Sequence, residues 1–328
     1  MKRTLVLGTI VAVGMLSAAA AAGVEAARQG APAQAPAQGG RQGGGPGQAP
    51  SAAGLTVDKL RDNMYVLRGG GGNTAVFIMA GGVALVDTKI AGWGQPIIER
   101  VKELTDKPIT TIINTHTHYD HTEGNVEFPP AVEVVTHENT AKLMPEMRDV
   151  YGIQNSGRNV FRDSKGRNLP TRTFRDRLTL GSGNDRIELH YFGRAHTSGD
   201  AFVVFPAARV LHTGDAFPNR GMPIMDVNNG GSGVEYADTV ARAAALPNID
   251  TVITGHNATT VTMADVKMYS EFVREFVDAV RAVRKSGRTI DEVAKTWKVP
   301  ERFTAAGYAQ PPEARLRANA EVVWKEAN

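Results

Sequence analysis

The segment Thr115-His116-Thr117-His118-Tyr119-Asp120-His121 places three of the eight histidines of a 328-residue chain within six residues. Imidazole and carboxylate groups are ligands suited to zinc, manganese or iron. A helix would put His116 and His118 about 200° apart around its axis, whereas an extended segment or loop puts them on the same side. Because Thr111-Ile112-Ile113 reads as a short buried strand, the sequence predicts a metal-binding loop at a strand end.

Three later polar residues lie in glycine-containing loops next to predicted apolar strands. His196 lies within Gly193–Asp200, Asp215 follows Val210-Leu211, and His256 follows Val252-Ile253. Any one of them alone is more typical of a capping residue or of a residue that supports a ligand. Capping does not explain the set together with the first cluster. The sequence therefore predicts that these residues complete one metal site.

The remaining pattern predicts a domain of strands followed by alternating strands and helices. Strands are predicted at 63–67, 73–78, 83–86, 111–113, 132–135, 173–180, 186–191, 202–205, 210–212 and 251–253, and helices at 93–104, 139–147, 235–245 and 263–283, with two more near the end. The polar segment from Arg148 to Thr171 is predicted to be a long surface loop that serves as a lid or binding loop. This order favours sheets covered by helices.

The motifs resemble those of the metallo-β-lactamase superfamily over nearly all of residues 55–328. They are His-x-His-x-Asp-His at 116–121, Gly-x-x-His-Thr-x-Gly-Asp at 193–200, Thr-Gly-Asp at 213–215 and Gly-His at 255–256. The resemblance implies an α+β fold, the αββα sandwich, with two mixed β-sheets packed face to face, helices on the outer faces and a metal site at one edge. It implies one divalent ion on His116, His118 and His196, a second on Asp120, His121 and His256, and Asp215 bridging both.

The ligand set indicates hydrolysis of a small-molecule substrate. The expected cofactors are two divalent ions, with zinc first and iron or manganese as alternatives. Such a pair would lower the pKa of a bridging water, and the resulting bridging hydroxide would attack a polarised carbonyl. Asp120 is the candidate catalytic residue because it would orient this hydroxide while binding metal. No Ser-His-Asp arrangement is evident, which disfavours an acyl-enzyme route. The hypothesis is an exported dinuclear zinc-dependent hydrolase of an ester, lactone, thioester or amide.

Three other functions compete with this hypothesis. A periplasmic β-lactamase is the first, although the chain has no cysteine for the second metal site and the bridging Asp215 resembles glyoxalase II, lactonases and alkylsulfatases. A mononuclear iron sulfur dioxygenase is the second, and it does not need the full set of Asp120, His121 and His256. A non-catalytic binding module is the third, and it is disfavoured because such relatives commonly lose ligands.

The N-terminal segment has the layout of a signal peptide over residues 1–26. Lys2 and Arg3 precede an apolar run from Leu5 to Ala22, and small residues near Ala26 offer a cleavage point. A retained membrane anchor is the alternative. Residues 27–54, almost all Ala, Gly, Gln and Pro, predict a disordered tether that is either a spacer or an inert linker. Residues 55–328 would form the hydrolase domain of a periplasmic or secreted protein, with no integral membrane domain after cleavage.

Composition and the remaining histidines add limits. The formal net charge is +3, and no basic run with interleaved aromatics indicates nucleic-acid binding. His137 is either a support for a ligand or a polar residue at a helix start, His190 is read as structural, and His212 as a hydrogen-bonding neighbour of Asp215. Asp200 is read as an orienting or capping carboxylate. The oligomeric state and the substrate stay open.

Overall fold

The computed structural model describes residues 49–153 and 157–327. The predicted signal peptide and most of the predicted tether lie outside the described residues. Of the tether's last residues, Ala52–Gly54 form one turn of 3₁₀ helix, and Arg100 Nε donates to Ala52 O at 2.8 Å. Within the two described ranges, none of the helices has both the length and the apolar character needed to cross a membrane.

The first sheet has seven strands in chain order. They are β1 (Thr56–Arg61), β2 (Met64–Arg68), β3 (Thr74–Met79), β4 (Gly82–Val86), β5 (Ile109–Ile113), β6 (Glu133–His137) and β7 (Arg172–Phe174). The pairs from β1 to β4 are antiparallel, and those from β4 to β7 are parallel. The carboxyl ends of β4, β5 and β6 therefore share one edge of the sheet.

The second sheet has five strands in the order β12-β11-β10-β9-β8. They are β8 (Arg177–Leu180), β9 (Ile187–His190), β10 (Phe202–Phe205), β11 (Val210–His212) and β12 (Thr251–Ile253). The pairs from β8 to β11 are antiparallel, and β11 pairs with β12 in parallel. Both sheets are mixed, as the resemblance implied.

The described residues form nine α-helices. They are α1 (Gly94–Leu104), α2 (Tyr119–Thr122), α3 (Glu138–Leu143), α4 (Val160–Asp163), α5 (Gly233–Ala244), α6 (Met263–Lys285), α7 (Ile290–Thr296), α8 (Glu301–Thr304) and α9 (Glu313–Glu326). Helix α6 begins with a capping box in which Thr262 and Asp265 exchange hydrogen bonds between side chain and main chain. Helix α1 packs on the first sheet, whereas α5, α6, α7 and α9 cover the second.

The alternation of side chains along each strand builds the layers. In β10, Phe202 and Val204 face the helices, whereas Val203 and Phe205 point towards the first sheet. Successive side chains of a strand point to opposite faces. A strand that is apolar throughout therefore contributes side chains to two cores, one on each face of its sheet. The core between the sheets and the two cores under the helices confirm the predicted αββα sandwich.

The structure differs from the sequence prediction in four respects. The predicted strand 173–180 is two strands, because the chain leaves the first sheet after Phe174 and enters the second at Arg177. Strand β1 was not predicted, since it is an edge strand with no fully buried residue. Short helix α4 interrupts the predicted loop after Arg148, and three helices rather than two follow α6 among the described residues.

Candidate metal centre

The site lies where strand ends of the two sheets meet. The histidine loop follows β5, Asp215 follows β11, and His256 follows β12, while His196 lies in the connection between β9 and β10. Parallel neighbours end at the same edge, so these strands deliver their polar residues to a common place. The segment with His116 and His118 is non-helical, and α2 begins only at Tyr119. Both histidines can therefore point to the same side, which they must do to bind one ion.

Asp87, which directly follows β4, fixes two of the histidines. Its Oδ2 lies 2.7 Å from His121 Nδ1 and accepts from Thr115 Oγ1 at 2.7 Å, while Oδ1 accepts from Thr115 N at 2.8 Å. Thr115 Oγ1 in turn lies 3.0 Å from His116 Nδ1. Since the Thr115 hydroxyl donates to Asp87, it accepts from His116. Both histidines therefore carry their proton on Nδ1 and turn Nε2 towards the site.

His118 and His196 are oriented by the loop that follows the Asp215 segment. His118 Nε2 lies 2.6 Å from Asp226 Oδ2, so its Nδ1 is the nitrogen that faces the site. His196 Nδ1 lies 2.7 Å from Ile224 O, which can only accept, so Nε2 of His196 faces the site. Each outer partner thus selects one tautomer and leaves one lone pair pointing inward.

The inward-facing atoms form two adjacent clusters. In the first, His196 Nε2 lies 2.9 Å from His118 Nδ1 and 3.6 Å from Asp215 Oδ2, and His116 belongs to the same group. We call it cluster A. It is almost fully buried, with exposed fractions between 0% for His116 and 6% for Asp215.

The second cluster, cluster B, contains Asp120, His121 and His256. His256 Nε2 lies 3.3 Å from His121 Nε2 and 3.3 Å from Asp120 Oδ2. Asp215 reaches into it as well, because its Oδ2 is 3.2 Å from His256 Nε2 and its Oδ1 is 3.3 Å from His121 Nε2. The Asp215 carboxylate therefore lies between the two clusters, and all seven predicted residues come together.

The donor set fits divalent metal ions. Among the described residues, His116 Nε2 and Asp215 Oδ1 are buried without a hydrogen-bond partner, and an unsatisfied buried polar atom is costly. His196 Nε2 and His118 Nδ1 face each other with their lone pairs, because the N–H group of each ring donates to a partner outside the cluster. Two acceptors that face each other repel, and a cation between them removes that repulsion. Asp87 also lies near His116 and His121, but its oxygens are already occupied by hydrogen bonds.

Burial and neighbouring charges set the protonation of the cluster. Burial lowers the pKa of His116 well below its usual range, and the neighbouring His121 and His118 lower it further. Burial also lowers the pKa of His196 to about 4. The pKa of Asp215 is held well below its usual range by His256 and His121, although burial opposes this. In cluster A, the neutral His116 and His196 and the ionised Asp215 are the forms that bind metal. In cluster B, Asp215 raises the pKa of His121 and His256 against the effect of burial, so an ion bound there would displace their protons.

The other singled-out residues lie around this centre. His137 caps α3, where Nδ1 accepts from Asn139 N at 3.2 Å, so the helix-start interpretation is confirmed. His212 accepts from Gly214 N at 3.1 Å and therefore positions the turn that carries Asp215. Asp200 accepts from Thr197 N and Oγ1 at 2.9 and 2.7 Å and closes the loop after His196. His190 lies 3.3 Å from Glu188 on β9.

Two residues of this centre were missed by the sequence analysis. Asp87 directly follows the apolar run Val83–Val86, which is the signal that singled out Asp215 and His256, and it was available. Asp226 has no such signal, because it lies in an irregular loop and contacts a histidine 108 residues away in the chain.

The comparisons with known proteins agree with this arrangement. The sequence model of the Metallo-beta-lactamase superfamily matches residues 67–256, which is more than half of the chain. The chain is 27% identical over 213 residues to a hydroxyacylglutathione hydrolase of Rhodospirillum rubrum, covering 63% of this chain and 71% of that protein. It is 33% identical over 111 residues to the 2,4-dinitroanisole O-demethylase subunit alpha of a Nocardioides species, covering 33% of this chain and 29% of that protein.

Solved structures show the same fold at low sequence identity. The sec-alkylsulfatase Pisa1 from Pseudomonas sp. superposes with a TM-score of 0.62 at 16% identity, over 83% of this chain and 50% of the sulfatase. DIM-1 metallo-beta-lactamase superposes with a TM-score of 0.52 at 18% identity, over 68% of this chain and 99% of the lactamase. The chain thus spans half of the sulfatase and less than a third of the demethylase subunit. The family match and the buried cluster of histidines and aspartates lead to one conclusion: the chain belongs to the metallo-β-lactamase superfamily.

Proposed function

We propose that this protein is an exported, dinuclear, zinc-dependent hydrolase of a small-molecule ester, lactone, thioester or amide. One observation carries the proposal. Two clusters of inward-facing imidazole nitrogens share the carboxylate of Asp215, which lies 3.6 Å from His196 Nε2 and 3.2 Å from His256 Nε2. A carboxylate in this position is suited to bridge two ions. His116, His118 and His196 would hold the first, and Asp120, His121 and His256 the second.

Two bound divalent ions would supply Lewis-acid polarisation of the substrate and would acidify the attacking water. The residues of the chain do the rest. Asp87 and Asp226 accept the outer N–H groups of His121 and His118 and so make these rings better donors. Asp120 has a side chain that is 22% exposed, so its carboxylate can reach both a ligand position and the solvent side. It would hold the attacking water by a hydrogen bond and accept its proton.

The second cluster favours hydrolysis over the iron oxygenase alternative. A mononuclear enzyme needs only one set of ligands, whereas here Asp120, His121 and His256 also converge, with His256 Nε2 3.3 Å from both neighbours. The β-lactamase alternative differs only in substrate, and we carry it as one arm of the experiment. Export to the periplasm or medium, by a signal peptide over residues 1–26, is part of the proposal and rests on the sequence pattern alone.

Metal analysis combined with a substrate panel tests the proposal. Purified protein loaded with zinc should hold about two ions per chain and hydrolyse at least one of a chromogenic ester, lactone, thioester or cephalosporin. His116→Ala should abolish this hydrolysis, whereas the matched variant His190→Ala, outside the clusters, should keep it. One redox-active iron per chain would favour the oxygenase instead. Two bound zinc ions without hydrolysis across the panel would overturn the proposed activity.

A further inference from the structure

The C-terminal helix α9 contacts the loop that orients two of the candidate ligands. This helix lies beyond residues 67–256, the part of the chain that matches the family. Besides this contact, α9 is anchored by Leu316 and Val323, which are buried in the core over the second sheet. Glu326 near its end also accepts from Gly233 N at 2.8 Å at the start of α5. The core and the start of α5 therefore hold α9 by contacts additional to its hydrogen bonds with the loop.

One polar side chain of α9 points into this contact. Asn319 is fully buried, and its amide group makes two hydrogen bonds to the main chain of the loop. Asn319 Nδ2 donates to Pro223 O at 2.8 Å, and Asn319 Oδ1 accepts from Met225 N at 3.3 Å. The side chain thus bridges the residues on either side of Ile224 and fixes the backbone between them.

The residues held in this way are the ones that orient the histidines. Ile224 O accepts from His196 Nδ1 at 2.7 Å, and Asp226, directly after Met225, lies 2.6 Å from His118 Nε2. Asp226 N in turn donates to His196 O at 3.0 Å. A shift of the backbone between Pro223 and Asp226 would move both outer partners together. Both histidines belong to cluster A, and cluster B has no partner in this segment among the described residues.

We propose that Asn319 is a positioning residue of the metal centre, which holds the Pro223–Asp226 backbone so that Ile224 O and Asp226 fix the rings of His196 and His118. The inference rests on the proposed function, because it assumes that cluster A binds an ion. Outer partners of metal-binding histidines typically change metal affinity by about 10- to 100-fold when they are lost. Asn319 acts one step further out, and it acts on two partners at once.

The test compares zinc affinity and stability in variants of the full chain. Asn319→Leu keeps the branched shape and the number of side-chain heavy atoms but removes both hydrogen bonds, and Asn319→Asp keeps the acceptor for Met225 N but loses the donor to Pro223 O. Leu316→Ala, one turn earlier on α9, is the matched control because it removes apolar contacts of the same helix and keeps both hydrogen bonds of Asn319 to the loop. Affinity is measured by competition with a chromophoric chelator, and the ligand field by the visible absorption of the cobalt-loaded protein.

We expect zinc to bind cluster A about tenfold or more weakly in both Asn319 variants, with an altered cobalt spectrum. Leu316→Ala should lower the melting temperature but keep the affinity and spectrum of the wild type. The inference is overturned if the Asn319 variants bind zinc as the wild type does, or if Leu316→Ala loses as much affinity. Should Asn319→Leu not fold, Asn319→Asp decides by the same criteria. Failure of the proposed function looks different, because the wild type itself would then lack two bound ions or hydrolysis.

Discussion

Among single residues, Asp87 is the carboxylate that links His121 of cluster B, directly, with His116 of cluster A, through Thr115. It is fully buried and receives hydrogen bonds from His121 Nδ1 and from both the amide and the hydroxyl of Thr115. Through the Thr115 hydroxyl it also determines the tautomer of His116. Its backbone has a φ of +62°, which only a few per cent of non-glycine residues adopt. The backbone is therefore locally strained at the residue whose carboxylate receives the hydrogen bond from His121.

Replacing Asp87 by asparagine should weaken metal binding. The amide keeps the shape of the side chain but offers one acceptor oxygen where the carboxylate offers two, so at least one of the three donors loses its partner. We expect zinc affinity to fall by about 10- to 100-fold, measured by chelator competition. Asp250→Asn, at an exposed carboxylate paired with Arg61 and Arg209, is the control and should leave the affinity unchanged. Equal affinities in the two variants would contradict this role of Asp87.

The buried carboxyl of Asp200 should make the stability of the protein depend on pH. Burial raises the pKa of its carboxyl from 3.8 to about 7 in the folded protein. Between these two values the native state holds more protons than the unfolded state, so the free energy of unfolding falls as the pH rises from 3.8 to about 7. Asp200→Asn removes this contribution. The free energy of unfolding of the variant, relative to that of the wild type, should rise by a few kcal/mol as the pH increases from 3.8 to about 7. Above pH 7 this difference should stay constant.

Denaturant unfolding of both proteins over a pH series, in excess chelator to remove metal, measures this difference. A difference between variant and wild type that does not change with pH would show that Asp200 is not protonated on folding.

At the scale of elements, the four-glycine turn after β2 packs against cluster B. Gly69, Gly70 and Gly71 have φ values of +103°, +68° and +122°, which glycine adopts readily and other residues rarely. Gly72 N donates to Asp120 O at 2.9 Å, and the buried Lys89 Nζ donates to Gly72 O at 2.7 Å. A side chain at Gly72 would meet the imidazole of His121. The turn therefore sets how closely the backbone approaches the second cluster.

Gly72→Ala should selectively weaken cluster B. The added methyl group displaces the His121 ring, and overpacking of this kind costs about 1–3 kcal/mol, which corresponds to roughly tenfold or more in affinity. We expect zinc titration to show one site near wild-type affinity and one weakened site. Gly81→Ala, at a turn position where a methyl group meets nothing within 4 Å, should titrate as the wild type does. Loss of both sites, or of neither, would contradict the assignment.

Elements with a strong local pattern were predictable from the sequence, and those fixed by long-range contacts were not. The apolar strands β4, β5 and β10 were predicted within two residues at each end, because burial on one or both faces leaves a continuous signal. The division of 173–180 between the sheets was missed, since Phe174 and Arg177 differ in their pairing partners rather than in local sequence. The sequence likewise singled out His196, Asp215 and His256 in loops beside strands, but it missed Asp226 in an irregular loop, and Asp87 although that residue directly follows β4.

At the scale of the whole molecule, the metal centre joins the two sheets. Asp120, His121 and the other histidines of the 116–121 loop come from the first sheet, whereas His196, Asp215 and His256 come from the second. Beside them Asn73, directly before β3, donates from its side-chain Nδ2 to Thr254 O at 2.9 Å and from its main-chain N to Gly255 O at 2.7 Å. An ion held by both halves would be released when the halves separate. Metal binding should therefore appear as stability of the entire sandwich.

Stability should depend on free zinc in a defined way. For a ligand that binds only the folded state, each tenfold rise in free zinc above the dissociation constant adds about 1.4 kcal/mol to the free energy of unfolding per site. The melting temperature, followed in metal-buffered solutions, should rise steadily with free zinc. In His256→Ala, which removes a ligand of cluster B alone, the dependence should be about half as steep because one site remains. The same slope in this variant and in the wild type would show that a single ion accounts for all of the coupling between metal and fold.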